Sequence, residues 1–167
     1  MRFSLAGHQM ASFSTNSQSH QSPFDYTDEY LSDVFQSVST IAVVGASADP
    51  TKASLGVIEL LIEYGYTVFA VNPRTAATTI GGAHVYPSLA DIDQPVDMVD
   101  VFRPSHELRN VVAQTIEIGA RVIWGQLDIY DHAACETAKA AGLSVVVDRC
   151  PLIELPRLFP RASDLHQ

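Results

Sequence analysis

Apolar residues in this chain come in short blocks, and the blocks alternate between two spacings. Thr40-Ile41-Ala42-Val43-Val44 is an apolar, β-branched run that ends at Gly45. Similar runs recur at Thr67–Val71, Asp97–Phe102, Arg121–Trp124 and Leu143–Val147. Strands that lack polar alternation are buried on both faces, which marks a parallel sheet covered by helices. The intervening segments have helical spacing, from about Ser54 to Tyr64, Pro104 to Ile118 and Asp131 to Ala141. Gly65, Gly119 and Gly142 supply their stops. Ahead of the first strand, Tyr30, Leu31, Val34 and Phe35 predict an amphipathic helix over Asp28–Ser37. A Gly- and Thr-rich loop follows the second strand. It leads to His84-Val85-Tyr86, read as a short extension, and to a helical turn at Leu89–Ile92. Leu152–Phe159 reads as a tail, helical between its prolines. Five alternations of strand and helix predict an α/β fold. The expectation is a Rossmann-like, doubly wound parallel sheet of about five strands in three layers, with right-handed crossovers.

Residues 1–25 break this pattern. They are rich in Ser, Gln, His and Asn and have no period. They read as a disordered N-terminal arm, with Met10 as an alternative start. Residues 26–167 then form one domain of ordinary size. Apolar residues make up 47% and charged residues 17%, a globular balance. The net charge of −9 repels phosphate backbones, so nucleic acid is not an expected partner. No apolar run is long enough to cross a membrane, and the first residues lack a signal-peptide core. The cytoplasm is the default expectation. Cys135 and Cys150 have no CxxC spacing, and the six histidines form no metal-ligand pattern.

In doubly wound sheets ligands sit outside the carboxyl ends of the strands. The loop that matters most is Gly45-Ala46-Ser47-Ala48-Asp49-Pro50. Gly45 permits a sharp turn and close approach to a ligand. The helix that begins near Ser54 turns its positive end toward this loop, which favours phosphate or diphosphate. Ser47 and Ser54 offer hydroxyls. The plainer alternative is that Gly45 shapes a turn and Ser54 caps a helix. The loop is neither GxGxxG nor GxxxxGK[ST], so neither a dinucleotide nor nucleotide hydrolysis is signalled. An acid at the end of the second strand would hold the ribose of NAD. Here Asn72-Pro73-Arg74 stands there instead. Arg74 suits a ribose phosphate, as in NADP or coenzyme A, or is a solvated loop charge.

The chain resembles the CoA-binding domain family, related to the cofactor-binding domain of the succinyl-CoA synthetase α subunit. The matching segments are IAVVGASADPTKAS (41–54), YGYTVFAVNPR (64–74), IGGAHVYPSL (80–89), PVDMVDVFRPS (95–105), IGARVIWGQLDI (118–129) and AGLSVVVDRCPLIEL (141–155). The resemblance implies that Gly45, Ala46, Ser47 and the helix near Ser54 hold the diphosphate of coenzyme A. It sets Asn72, Pro73 and Arg74 beside the ribose phosphate, and Phe102, Arg103 and Pro104 along the adenine. Gln126 would lie near the pantetheine path. Lys52, in the phosphate loop, either neutralises phosphate or points to solvent.

The synthetase's second domain, with its phosphorylated histidine, has no counterpart in this sequence. The resemblance is therefore to stand-alone members, with coenzyme A or an acyl-CoA as ligand. An NADP-dependent oxidoreductase or redox sensor is the rival reading. A second copy or an unknown protein partner stays open. Three further expectations concern side chains. Asp100, inside an apolar strand, should pair with Arg103 or Arg149. Arg149 beside Cys150 would lower the thiol pKa and favour a mixed disulfide with the cofactor thiol, although a buried, inert thiol is the commoner outcome for such a cysteine. His106 and His132 should lie on helix surfaces.

Overall fold

The computed structural model describes residues 24–161. Disorder over 1–23 and a start at Met10 lie outside the described residues. Phe24, read as part of the arm, packs on the domain. Its ring stands edge-on to Tyr130 with centroids 4.9 Å apart, and its carbonyl accepts from Arg149 Nη2.

The described elements are α1 (Asp28–Ser37), β1 (Thr40–Val44), α2 (Ala53–Glu63), β2 (Thr67–Val71), β3 (Thr79–Ile80), β4 (Ala83–Tyr86), β5 (Met98–Val101), α3 (Leu108–Glu117), β6 (Val122–Gly125), α4 (His132–Ala140), β7 (Ser144–Val146) and α5 (Pro151–Leu158). The strands form a seven-stranded sheet in the order β3-β4-β2-β1-β5-β6-β7. Every neighbouring pair is parallel except β3 and β4. This is a Rossmann-like α/β fold.

The sheet exceeds the expected five strands because of the β3–β4 hairpin. Its two-residue link is Gly81-Gly82, with φ of +56° and +91°. Consecutive positive φ values fit the tight turn that matches strand twist, and glycine adopts them without strain. The short extension expected at His84–Tyr86 is β4, while the Gly- and Thr-rich segment hid its partner β3.

The sheet separates two apolar layers. Ile41, Val43, Met98, Val122 and Trp124 pack on one face with α1, α2 and α5 through Phe35, Ile58, Leu61 and Leu155. Ala42, Val44, Val99, Val101 and Ile123 pack on the other with α3 and α4 through Leu108, Val112, Ala134 and Ala138. Burying one such large side chain contributes about 1.5–3 kcal/mol. Side-chain caps fix two helix starts. Thr27 Oγ1 accepts from the Tyr30 amide at 3.1 Å, and Asp131 Oδ1 from the Ala134 amide at 2.7 Å.

Two boundaries differ from the sequence pattern. The segment after Pro104 opens as a 3-10 turn, Ser105–Glu107, and becomes α-helical only at Leu108. The last helix begins at Pro151, one residue before the expected Leu152, and ends at Leu158, ahead of Pro160. Pro151 occupies the first turn, where a missing N–H is harmless, and Pro156 lies inside.

From β1 the chain crosses toward β2, and from β5 it crosses toward β6. The topological switch therefore falls between β1 and β5. Their following loops part above the carboxyl edge of the sheet.

Candidate functional site

The β1 loop is folded by its own hydrogen bonds. The amides of Gly45 and Ala46 both donate to the Val71 carbonyl, at 3.1 and 3.3 Å. The Ser47 amide donates to Ser54 Oγ at 3.1 Å, and Ser47 Oγ accepts from the Asp49 amide at 3.1 Å. Asp49 Oδ1 accepts from the Thr51 amide at 2.9 Å and from its hydroxyl at 2.7 Å. These two bonds hold the Asp49 carboxyl below its usual range. A loop fixed in this way does not have to be ordered by its ligand.

Gly45 has φ of +85°. A Cβ at this position would meet Arg103 Cδ and the Phe102 carbonyl oxygen, both at 3.0 Å. Glycine is thus required twice, by the backbone and by the close passage of the β5 loop. Asn72 ties the next loop in. Its Nδ2 donates to the Ala46 carbonyl at 2.8 Å, and its Oδ1 accepts from the Arg74 amide at 2.8 Å. Asn72 is a brace between two loops, a role that an acid could not fill toward Ala46.

Gly45, Ala46, Ser47, Asn72, Pro73, Arg74 and Arg103 line one cleft of about 520 Å³ on the α3 side of the switch point. Glu107, Asn110 and Gln114 complete its far wall. These three were missed because helical spacing marks them only as a polar face of α3. The remaining sequence candidates stand elsewhere. Lys52 is exposed at the start of α2 and makes no side-chain cap bond. Ser54 is buried against Ser47. Phe102 is half-buried and packs on the opposite layer, and the Pro104 carbonyl accepts from the Glu107 amide at 2.9 Å. Gln126 is buried and donates from Nε2 to Asp100 Oδ1 at 2.6 Å.

One electrostatic expectation is corrected, and of the two readings of Cys150 the structure keeps the buried one. Asp100 pairs with neither arginine. Arg103 forks onto Glu107 at 2.8 and 2.7 Å, and Arg149 lies 3.7 Å from Glu154. Asp100 keeps Gln126 as its side-chain donor, and its Oδ2 has no partner. Burial pushes its carboxyl up to about 7, against the opposing pull of the Gln126 bond. Cys150 is buried, and burial raises its thiol pKa rather than lowering it. The Arg149 guanidinium is turned away, onto the carbonyls of Asp148 and Phe24. Cys150 is the buried thiol of the two alternatives.

The two histidines near strand ends lie outside the cleft wall. His106 is largely exposed, and His132 Nδ1 lies 3.2 Å from the Tyr130 hydroxyl. Among the described residues no cluster of ligating side chains could hold a metal ion, and no helix is long and apolar enough to cross a membrane.

Fold and site define a doubly wound α/β domain with an arginine-bearing cleft at its switch point. The model of the CoA binding domain matches residues 39–156 of the chain. The protein belongs to the CoA-binding domain family. It is 33% identical over 120 residues to the uncharacterised protein YneT of Bacillus subtilis, covering 72% of this chain and 87% of that one. It is 33% identical over 88 residues to the α subunit of ADP-forming acetate–CoA ligase I of Pyrococcus furiosus. That match covers 50% of this chain and 19% of the subunit. Among solved structures, a hypothetical protein from Pyrococcus horikoshii superposes with a TM-score of 0.75 at 36% identity, covering 80% of this chain and 92% of that one. The chain thus spans about a fifth of the ligase subunit but most of the small proteins.

Proposed function

We propose that this protein binds coenzyme A, free or acylated, in the cleft at the switch point. The observation that carries the reading is the meeting of the Gly45 loop with two arginines. Gly45 leaves room where a Cβ would strike Arg103 and the Phe102 carbonyl. Arg74 and Arg103 line the same cleft as that loop. A diphosphate suits a glycine loop ahead of a helix start, and a ribose phosphate suits the guanidinium fork. Family membership supports coenzyme A as the ligand with both features. The proposal assigns binding only and no reaction. It includes a cytoplasmic location, with which the unpaired Cys135 and Cys150 agree.

Calorimetric titration with coenzyme A, acetyl-CoA, NAD and NADP tests the reading. Saturable binding of coenzyme A or acetyl-CoA is expected, with NAD and NADP silent. Gly45→Val should weaken coenzyme A binding by about 100-fold or more, because the new side chain must displace Arg103 or the β5 loop. NADP binding with coenzyme A silent would replace this reading with the redox one.

A further inference from the structure

The cleft already contains an anion of its own. Glu107 Oε2 accepts from Arg103 Nε at 2.8 Å, and Glu107 Oε1 from Arg103 Nη2 at 2.7 Å. This two-bond fork is also how a guanidinium holds phosphate. The Arg103 stem passes close to Gly45, its Cδ 3.0 Å from where a Cβ would stand. The Arg103 bonds hold the Glu107 carboxyl below its usual range, and the nearby charges of His106 and Arg74 act in the same direction. His106 Nε2 lies 3.8 Å from Glu107 Oε1 and is largely exposed. Glu107 also closes the turn that leads into α3, where the positive helix end favours an anion. Cations and backbone thus converge on one anionic position, and a side chain fills it.

That side chain is not locked in. Arg103 and Glu107 are 36% and 34% exposed, and both line the cleft. An ion pair so open to water is weak, while a dianionic phosphate on the same fork interacts more strongly than a carboxylate.

We propose that Glu107 is an internal stand-in for the ligand's ribose phosphate, and that this phosphate displaces it from Arg103 on binding. The inference rests on the coenzyme A reading and adds the residue that sets its phosphate selectivity. A ligand without the phosphate leaves the pair closed and gains nothing from Arg103. A ligand with it exchanges one anion for a stronger one. Glu107 therefore holds affinity for the phosphorylated ligand below its ceiling and prevents weaker anions from occupying Arg103.

The test titrates the full chain and Glu107→Gln with coenzyme A and with 3′-dephospho-coenzyme A. Glu107→Gln should tighten coenzyme A binding by about three- to tenfold and change the dephospho form by less than about twofold. Equal tightening of both ligands would show general charge repulsion and overturn the proposal. Weakening of both would show that Glu107 itself holds the ligand, by a ribose hydroxyl for example, and would also overturn it. Binding of neither ligand to either protein would defeat the coenzyme A reading itself. Glu107→Asp guards against a misfolded glutamine variant. It keeps the charge on a shorter stem and should give the same ligand-specific change at smaller amplitude.

Discussion

Asp100 and Glu107 follow one another closely around the end of β5, yet their surroundings treat the two carboxyl groups in opposite ways. By strand alternation Asp100 shares the face of Met98, the layer of α1, α2 and α5. Glu107 lines the cleft with Val44, Val71 and Val111, on the α3 face. Asp100 is fully buried and its pKa is pushed up to about 7. Glu107 is open to water, bonded by Arg103 and held below its usual range. Around the end of β5 the sheet edge is therefore dry on the Asp100 side and charged on the Glu107 side. Arg74 and Arg103 offer phosphate partners on the charged side.

The largest expected effect is on the dry side. The folded-state pKa of Asp100 lies above the ordinary aspartate value of 3.8. Below about pH 4 both folded and unfolded chains carry the proton, and the residue is neutral in its influence. As pH rises, the unfolded chain ionises first, so the folded state loses stability from about pH 4 until about pH 7. Asp100→Asn should remove this loss. At pH 8 the variant should be more stable by an amount on the order of a few kcal/mol, and at pH 4 it should match the parent. Chemical denaturation of both proteins across pH checks this. The difference between them is the quantity to follow, because Asp97 titrates in the other sense. Burial opposes the shift at Asp97, but bonds from the Ser39 amide and Arg121 lower its pKa on balance. A difference that is flat with pH would mean that Asp100 is not a carboxyl held neutral by burial.

Gln126→Leu is the next step down. It deletes the Asp100 side-chain donor and should cost about 1–3 kcal/mol. The loss should be greater at pH 8 than at pH 5, since the charged carboxylate needs the bond more. Coenzyme A affinity should stay within about twofold, because Gln126 is buried away from the cleft. Loss of ligand binding in this variant would instead restore the expectation that Gln126 lies along the pantetheine path.

The contrast also marks where sequence reading reaches its limit. The strand runs were legible because burial on both faces leaves no polar alternation. Gly45 was legible because one residue type answers both a positive φ and a close approach. Asn72, Arg74 and Arg103 were singled out by their place at strand ends, and all three line the cleft. Which face a side chain takes was harder to read. Phe102, Gln126 and Arg103 all follow strand ends, but only Arg103 turns into the cleft. Glu107 was hidden because an acid at a helix start is ordinary, and only the fork onto Arg103 sets it apart. The partner of Asp100 was misread because an amide can satisfy half of a carboxylate that was expected to need an arginine.

The smallest stability effect falls on the charged side. Arg103→Gln breaks the fork onto Glu107, yet solvent screens that pair. The thermal midpoint should move by no more than about 2 °C. Coenzyme A affinity should nevertheless fall about tenfold or more, and 3′-dephospho-coenzyme A affinity much less. Gln126→Leu and Arg103→Gln then form a double dissociation, one changing stability without affinity and the other affinity without stability. Parallel calorimetry and thermal unfolding of the two variants decide it. If Arg103→Gln unfolds as readily as Gln126→Leu, the Arg103–Glu107 pair is part of the scaffold and not an exchangeable contact. The selectivity assigned to Glu107 would then have no mobile partner through which to act.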